Sequence, residues 1–148
     1  MDQPIYPYKK SSDVLTFEFE SYGSNGISKK KIVYSSLEDA PNLYSLSLFE
    51  VLEGGKLDIY IESRNKDMTK ILATVIRTVF DFFELYPNSK IIFTGSTEER
   101  TRLYRIVIDK LIRETSLKFV VLWLSDDRGL EPFQANENYS GYIVSLDI

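Results

Sequence analysis

A chain of 148 residues, 43% hydrophobic and 27% charged, has the length of one domain and the balance of a globular protein rather than a disordered one. Its formal charge of −4 excludes a surface that is basic throughout, as a general nucleic-acid footprint would be, and leaves room only for a local basic patch. With neither cysteine nor histidine, disulfides, thiolate nucleophiles, zinc–cysteine clusters and imidazole chemistry are excluded together, so any catalysis would fall to carboxylates, Lys, Tyr, Ser or Thr.

The opening "MDQPIYPYKK" carries no apolar signal core. Further on, "VLTFEFE" (Val14 to Glu20) alternates with Leu15, Phe17 and Phe19 on one face, and "KKIVYSS" follows after the turn formers of "YGSNGIS". That pattern predicts a β-hairpin. A second hairpin is predicted from "LYSLSLFEV" and "KLDIYIE", joined through Glu53, Gly54 and Gly55, so that four antiparallel strands come first.

Asp67 to Tyr86 is the clearest helix, with Met68, Leu72, Val75, Ile76, Val79, Phe82 and Phe83 on one face and Lys70, Arg77, Asp81 and Glu84 on the other. Pro87 lies just beyond its end. Then come the apolar run "KIIFTG", a helix from about Thr97 to Glu114, and "KFVVLWL". Strand, helix and strand in that order predict a parallel pair with a right-handed crossover, both strands buried on two faces. The longest apolar run, Phe119 to Leu124, is far too short to span a bilayer. Ser125 to Tyr139 reads as a long polar connection, and "SGYIVSLDI" as a last strand. The fold class expected is α+β (mixed α/β): antiparallel N-terminal strands followed by two strand–helix units, giving one mixed sheet with two helices packed on it, all in a single domain over residues 1–148. A soluble, cytoplasmic protein without a membrane partner is expected.

The stretch that carries chemistry is "IIFTGSTEERTRLYR", where an apolar strand runs through Gly95 into an arginine-rich helix. Ser96 or Thr97 is placed to cap that helix, and Glu98 and Glu99 suit its positive end, which explains much of the motif by capping alone. Projected at about 100° per residue, Leu103, Tyr104, Val107, Ile108 and Leu111 share one face. Arg102, Arg105, Asp109 and Arg113 share the opposite one, as an ion-paired stripe. Arg100 differs, because the projection puts it amid the apolar face, in the first turn and above the carboxyl end of the preceding strand.

A guanidinium there needs a partner. One reading is a bound phosphate or carboxylate, held with Gly95, Ser96 and Thr97 in the crevice where parallel α/β units bind ligands. The other is an internal ion pair with Asp126, Asp127 or Glu131. The junction lacks the second Gly and the Lys of a P-loop and is no G-x-G-x-x-G, so nucleotide triphosphate hydrolysis is disfavoured. No motif implies a cofactor or a metal.

"ATVIRTVFDFFELYP", "FTGSTEERTRLYRIVI" and "LEPFQANENYSGYIVS" together resemble three characteristic blocks of a family of small bacterial proteins catalogued as a domain of unknown function. Gly95, Ser96, Thr97, Arg100, Thr101, Arg102, Leu103 and Tyr104 match its Gly-Ser-Thr-x-x-Arg-Thr-Arg-Leu-Tyr motif, whereas Leu130 stands where an aromatic often precedes Glu-Pro-Phe. The resemblance implies no activity, substrate or catalytic residue.

Elsewhere the blander readings lead. "DDRGLE" reads as an Asp-rich turn before it reads as a magnesium or acid–base site. "SKKKI", Ser28 to Ile32, reads as lysines that blunt a strand edge before it reads as a nucleic-acid patch. Edge packing is the first account of Tyr6, Tyr8, Tyr139 and Tyr142. Three functions follow in order: a binding module for an anionic small molecule or nucleic-acid phosphate at residues 95–105, with Gly95, Ser96, Thr97, Arg100, Arg102 and Tyr104 as candidate ligands; a component that binds a protein partner; and, last, a hydrolase or transferase using Asp126, Asp127 or Glu131 with Arg100 as clamp. The balance is against an enzyme.

Overall fold

In the computed structural model the described residues are 4–23, 26–59, 67–94, 102, 104–106, 108–110, 113, 119–125, 129–132 and 141–147. They fall into two compact units, Met1–Tyr34 with Ser47–Leu85, and Ser35–Leu46 with Tyr86–Ile148. Among the described residues no helix is long and apolar enough to cross a membrane.

The first unit is built on alternation. Strand β2 (Thr16–Gly23) buries Phe17, Phe19 and Ser21 and exposes Glu18, as a sheet covered on one face requires. It turns back into β3 (Gly26–Ser36) in the register Phe17↔Ile32, Phe19↔Lys30 and Gly23↔Gly26, so the first predicted hairpin is present. A short strand β1 (Tyr8–Lys10), read from the sequence only as edge packing, lies antiparallel on β2. Strand β4 (Leu43–Val51) follows β3 in the hydrogen-bonded order, and β5 (Leu57–Ile59) pairs with its end through Val51↔Leu57.

The β4–β5 connection needs its glycines. Gly54 and Gly55 sit at φ 80° and 82°, and Leu52 N–H donates to the Lys56 carbonyl at 2.7 Å to close the turn. A Cβ on Gly54 would meet nothing within 4 Å, so Gly54→Ala isolates the conformational cost. The expected loss is roughly 1 to 2 kcal/mol in a denaturant titration.

Helix α1 (Met68–Leu85) packs on this sheet through most of the face its periodicity predicts: Leu72, Val75, Ile76, Val79, Phe82 and Phe83 are buried, Met68 is half-buried in the first turn, and Ile71 is buried in addition. Thr74 and Thr78 are buried too, their hydroxyls donating to the carbonyls of Lys70 and Val75. Phe82 stacks on Tyr34 at 4.7 Å between centroids, and Phe17 meets Tyr34 edge-on at 5.8 Å. This aromatic column is the centre of the first core.

In the second unit the order is β4, β6 (Lys90–Thr94), β9 (Gly141–Leu146), β7 (Phe119–Ser125), β8 (Gly129–Pro132). Lys90 N–H donates to the Asn42 carbonyl at 2.8 Å, which starts a parallel ladder Leu43↔Lys90 to Ser45↔Ile92. The pairings β6–β9, β9–β7 and β7–β8 are antiparallel, so this unit's sheet is mixed, and the fold is α+β with antiparallel strands at the N-terminus. The described residues between 102 and 113 are helical, giving the second helix.

Three expectations need correction. Strands β6 and β7 run the same way but do not pair, because β9 enters between them and pairs antiparallel with both. Its Val144 is fully buried and Tyr142 nearly so, the burial of a central strand. Nor is β7 buried on two faces: Val120 is 40% exposed, which an antiparallel neighbourhood permits and a parallel one seldom does. Finally, the supposed loop 125–139 contains β8, which pairs with β7 through Leu122↔Pro132 and Ser125↔Gly129. Pro132 is tolerated because β8 is the outermost strand of this order.

Candidate functional site

The register of the second unit brings three strand ends to one edge. Gly141, the first residue of β9, pairs with Thr94, the last of β6, and also with Leu124 near the end of β7. Gly95, Ser96, Thr97, Arg100, Asp126 and Asp127 lie outside the described residues. Glu131 lies in β8 opposite Trp123, one strand beyond that edge.

The described part of the second helix follows its projection. Arg102 and Arg113 are exposed, and Ile108 is fully buried. Tyr104, the last residue of the motif, is 7% exposed, its ring 5.5 Å from that of Phe93 at the end of β6. Its described contact is thus with the strand that precedes the junction. Arg105 and Asp109 are half-buried rather than fully solvated, and the charges of both act on Tyr142 of β9.

Burial pushes the Tyr142 hydroxyl up to about 12 from 10.0; Arg105 opposes the shift and Asp109 adds to it. A phenol raised in the folded state is neutral there when the unfolded chain would already ionise it. Its stabilising contribution is therefore complete below pH 10 and is lost as the pH rises through about 12. In an alkaline titration, wild-type protein is expected to lose stability over that window, and Tyr142→Phe to lose measurably less; equal slopes would put the loss on other tyrosines.

A second polar constellation, in the first unit, went unread in the sequence. Asp67 immediately precedes α1, its carbonyl accepting from Ile71 N–H at 3.0 Å, and its carboxylate accepts hydrogen bonds from the hydroxyls of Tyr6 and Ser21. Opposite Ser21 in the ladder is Ser28, which donates to Glu50. Lys30, taken from "SKKKI" as an edge-blunting surface lysine, is only 1% exposed, with its ammonium 3.5 Å from Glu50. Alternation is the signal that would have found it. Counting back from Ile32 and Tyr34 places Lys30 and Ser28 on the core face, with only Lys29 and Lys31 facing away.

The same segment is strapped to α1. Tyr6 N–H donates to the Thr74 hydroxyl at 3.0 Å, Lys70 lies 4.3 Å from the Tyr6 ring centre, and Tyr8 donates to Asp81. Burial and the Asp81 carboxylate push the Tyr8 hydroxyl well above the ordinary phenol range, which keeps it a donor. Tyr6 and Tyr8 are accounted for as packing and latching groups.

A family model described as a family of unknown function (DUF6934) matches residues 2–147 of the chain. No curated protein and no solved structure matches it.

Proposed function

The chain belongs to this family of unknown function, and we propose that it is a binding module which takes an anionic small molecule or a nucleic-acid phosphate at the strand–helix junction 95–105. The observation that supports this reading is the shared register of Thr94, Gly141 and Leu124, which brings the end of β6, the start of β9 and the end of β7 to one edge of the sheet; in the sequence, Ser96, Thr97 and Arg100 follow β6, and Asp126 and Asp127 follow β7. Free N–H groups at a helix start attract anions, and the sequence reads Ser96 or Thr97 as the cap of such a start. Arg105, within the same stretch of sequence, is helical and half-buried.

The test is a titration followed by ¹⁵N–¹H correlation spectra, using inorganic phosphate, a nucleotide panel and a short single-stranded RNA. Saturable shifts confined to Gly95 through Arg105, lost in Arg100→Ala while the rest of the spectrum persists, are expected. No shift with any probe, together with an Arg100→Ala variant that unfolds, would make Arg100 an internal ion-pair partner and turn the search for function to a protein partner.

A further inference from the structure

Four of the large apolar side chains left open to solvent gather at one end of the first unit: Tyr22 (54% exposed), Ile27 (65%), Leu52 (43%) and Leu57 (45%). Tyr22 pairs with Ile27 across β2 and β3, and Val51 with Leu57 across β4 and β5. Alternation fixes the face on which these pairs stand. Phe17, Phe19, Ile32 and Tyr34 are buried toward α1, so alternation sets Tyr22 and Ile27 on the opposite face, with the Tyr22 ring at the strand end also 6.0 Å from that of Tyr6. Leu46 and Leu48 are buried and Glu50 meets Lys30, so Val51 and Leu57 point away as well.

The same open face carries opposite charges in register. Lys9, Glu18 and Lys31 form one row across β1, β2 and β3, with Lys31 3.9 Å from Glu18, and Glu20 with Lys29 forms the next. A cavity of about 510 Å³ is bounded here by Lys9, Glu18, Glu20, Tyr22, Lys29 and Val51. A solvated sheet face has no need of an isoleucine 65% exposed beside an exposed tyrosine, and contiguous apolar surface rimmed by polar groups marks an interface.

The charge pattern selects the occupant. Both signs are nearly balanced, so the face has no net field to recruit a strongly basic or acidic partner. It is instead self-complementary. About a two-fold axis running along the seam between β2 and β3, each strand of one copy lies over the other strand of the second. We propose that this face docks on the same face of a second copy of the chain, with Glu20 of each copy meeting Lys29 of the other and Tyr22 meeting Ile27.

The experiment is molar mass by light scattering on the full chain, as a function of concentration, for the wild type, Lys29→Glu, Glu20→Lys and Ile27→Asp. All three substitutions lie at positions outside the buried core, and circular dichroism would check that the variants keep the fold. The wild type is expected to double its mass. Each single reversal is expected to be monomeric where the wild type is dimeric, since it sets like charges against each other. An equimolar mixture of Lys29→Glu with Glu20→Lys is expected to regain the double mass, because one copy is then acidic at both positions and the other basic. Ile27→Asp is expected to stay monomeric in any mixture. A wild type that remains monomeric up to its solubility limit overturns the proposal. So does a dimer indifferent to both reversals, or a mixture that fails to reassociate.

Discussion

Glu50→Ala is expected to lower the free energy of unfolding by about 3–5 kcal/mol, the usual cost of removing one member of a buried ion pair. Lys30 is 1% exposed and the Glu50 side chain 15% exposed, so water screens little of the charge that remains. Ser28, which donates to Glu50, loses its acceptor in the same step. The companion variant separates this cost from the worth of the pair. Lys30→Met with Glu50→Leu removes both desolvation costs while keeping most of the volume, and is expected to match or exceed wild-type stability. Equilibrium denaturation of the three proteins reads both effects. A loss under about 1 kcal/mol for Glu50→Ala would mean that other groups hold the ammonium as well as Glu50 does.

What the sequence made legible was the content of elements with a strong local period. Helix α1 announced itself through an apolar face of which Leu72, Val75, Ile76, Val79, Phe82 and Phe83 are buried, and both hairpins through alternation and their glycines. Strand partners are another matter, because pairing across a sheet is not encoded locally. "KIIFT" and "FVVLWL" looked alike as short apolar runs, and nothing in either says that the last strand of the chain will enter between them. Strand β8 was hidden for a related reason: Gly129 and Pro132 are turn formers and Glu131 a weak strand former, a combination suited to an outer strand.

Lys30 shows the opposite failure, in which residue type overrode position. A lysine triplet reads as solvent-facing by composition, yet the register that buries Ile32 and Tyr34 must also turn Lys30 inward. The burial of Tyr104 and the exposure of Arg102 both followed from a helical projection alone. The convergence of strand ends beside them did not, since it depends on where β9 inserts.

Phe82→Ala is the second large expected effect, again about 3–5 kcal/mol, because the ring is fully buried and its neighbours are held on several sides. Tyr34 lies parallel to it at 4.7 Å and 11°, Phe83 meets it edge-on at 5.3 Å, and the Tyr34 hydroxyl is fixed by Thr78 at 3.0 Å. Collapse into the vacated space would require Tyr34 to leave that hydroxyl contact, so the cavity is expected to persist. Tyr34→Phe gives the contrast: it keeps the stacked ring and loses one buried hydrogen bond, and since Thr78 still donates to the Val75 carbonyl the loss should be only about 0.5–1.5 kcal/mol. A double-mutant cycle of Phe82→Ala with Tyr34→Ala then isolates the ring pair itself. A coupling of about 0.5–1.5 kcal/mol is expected from the stacked geometry beyond area burial. Strict additivity would mean that the column stabilises the unit by excluding water alone, with nothing owed to how the two rings face each other.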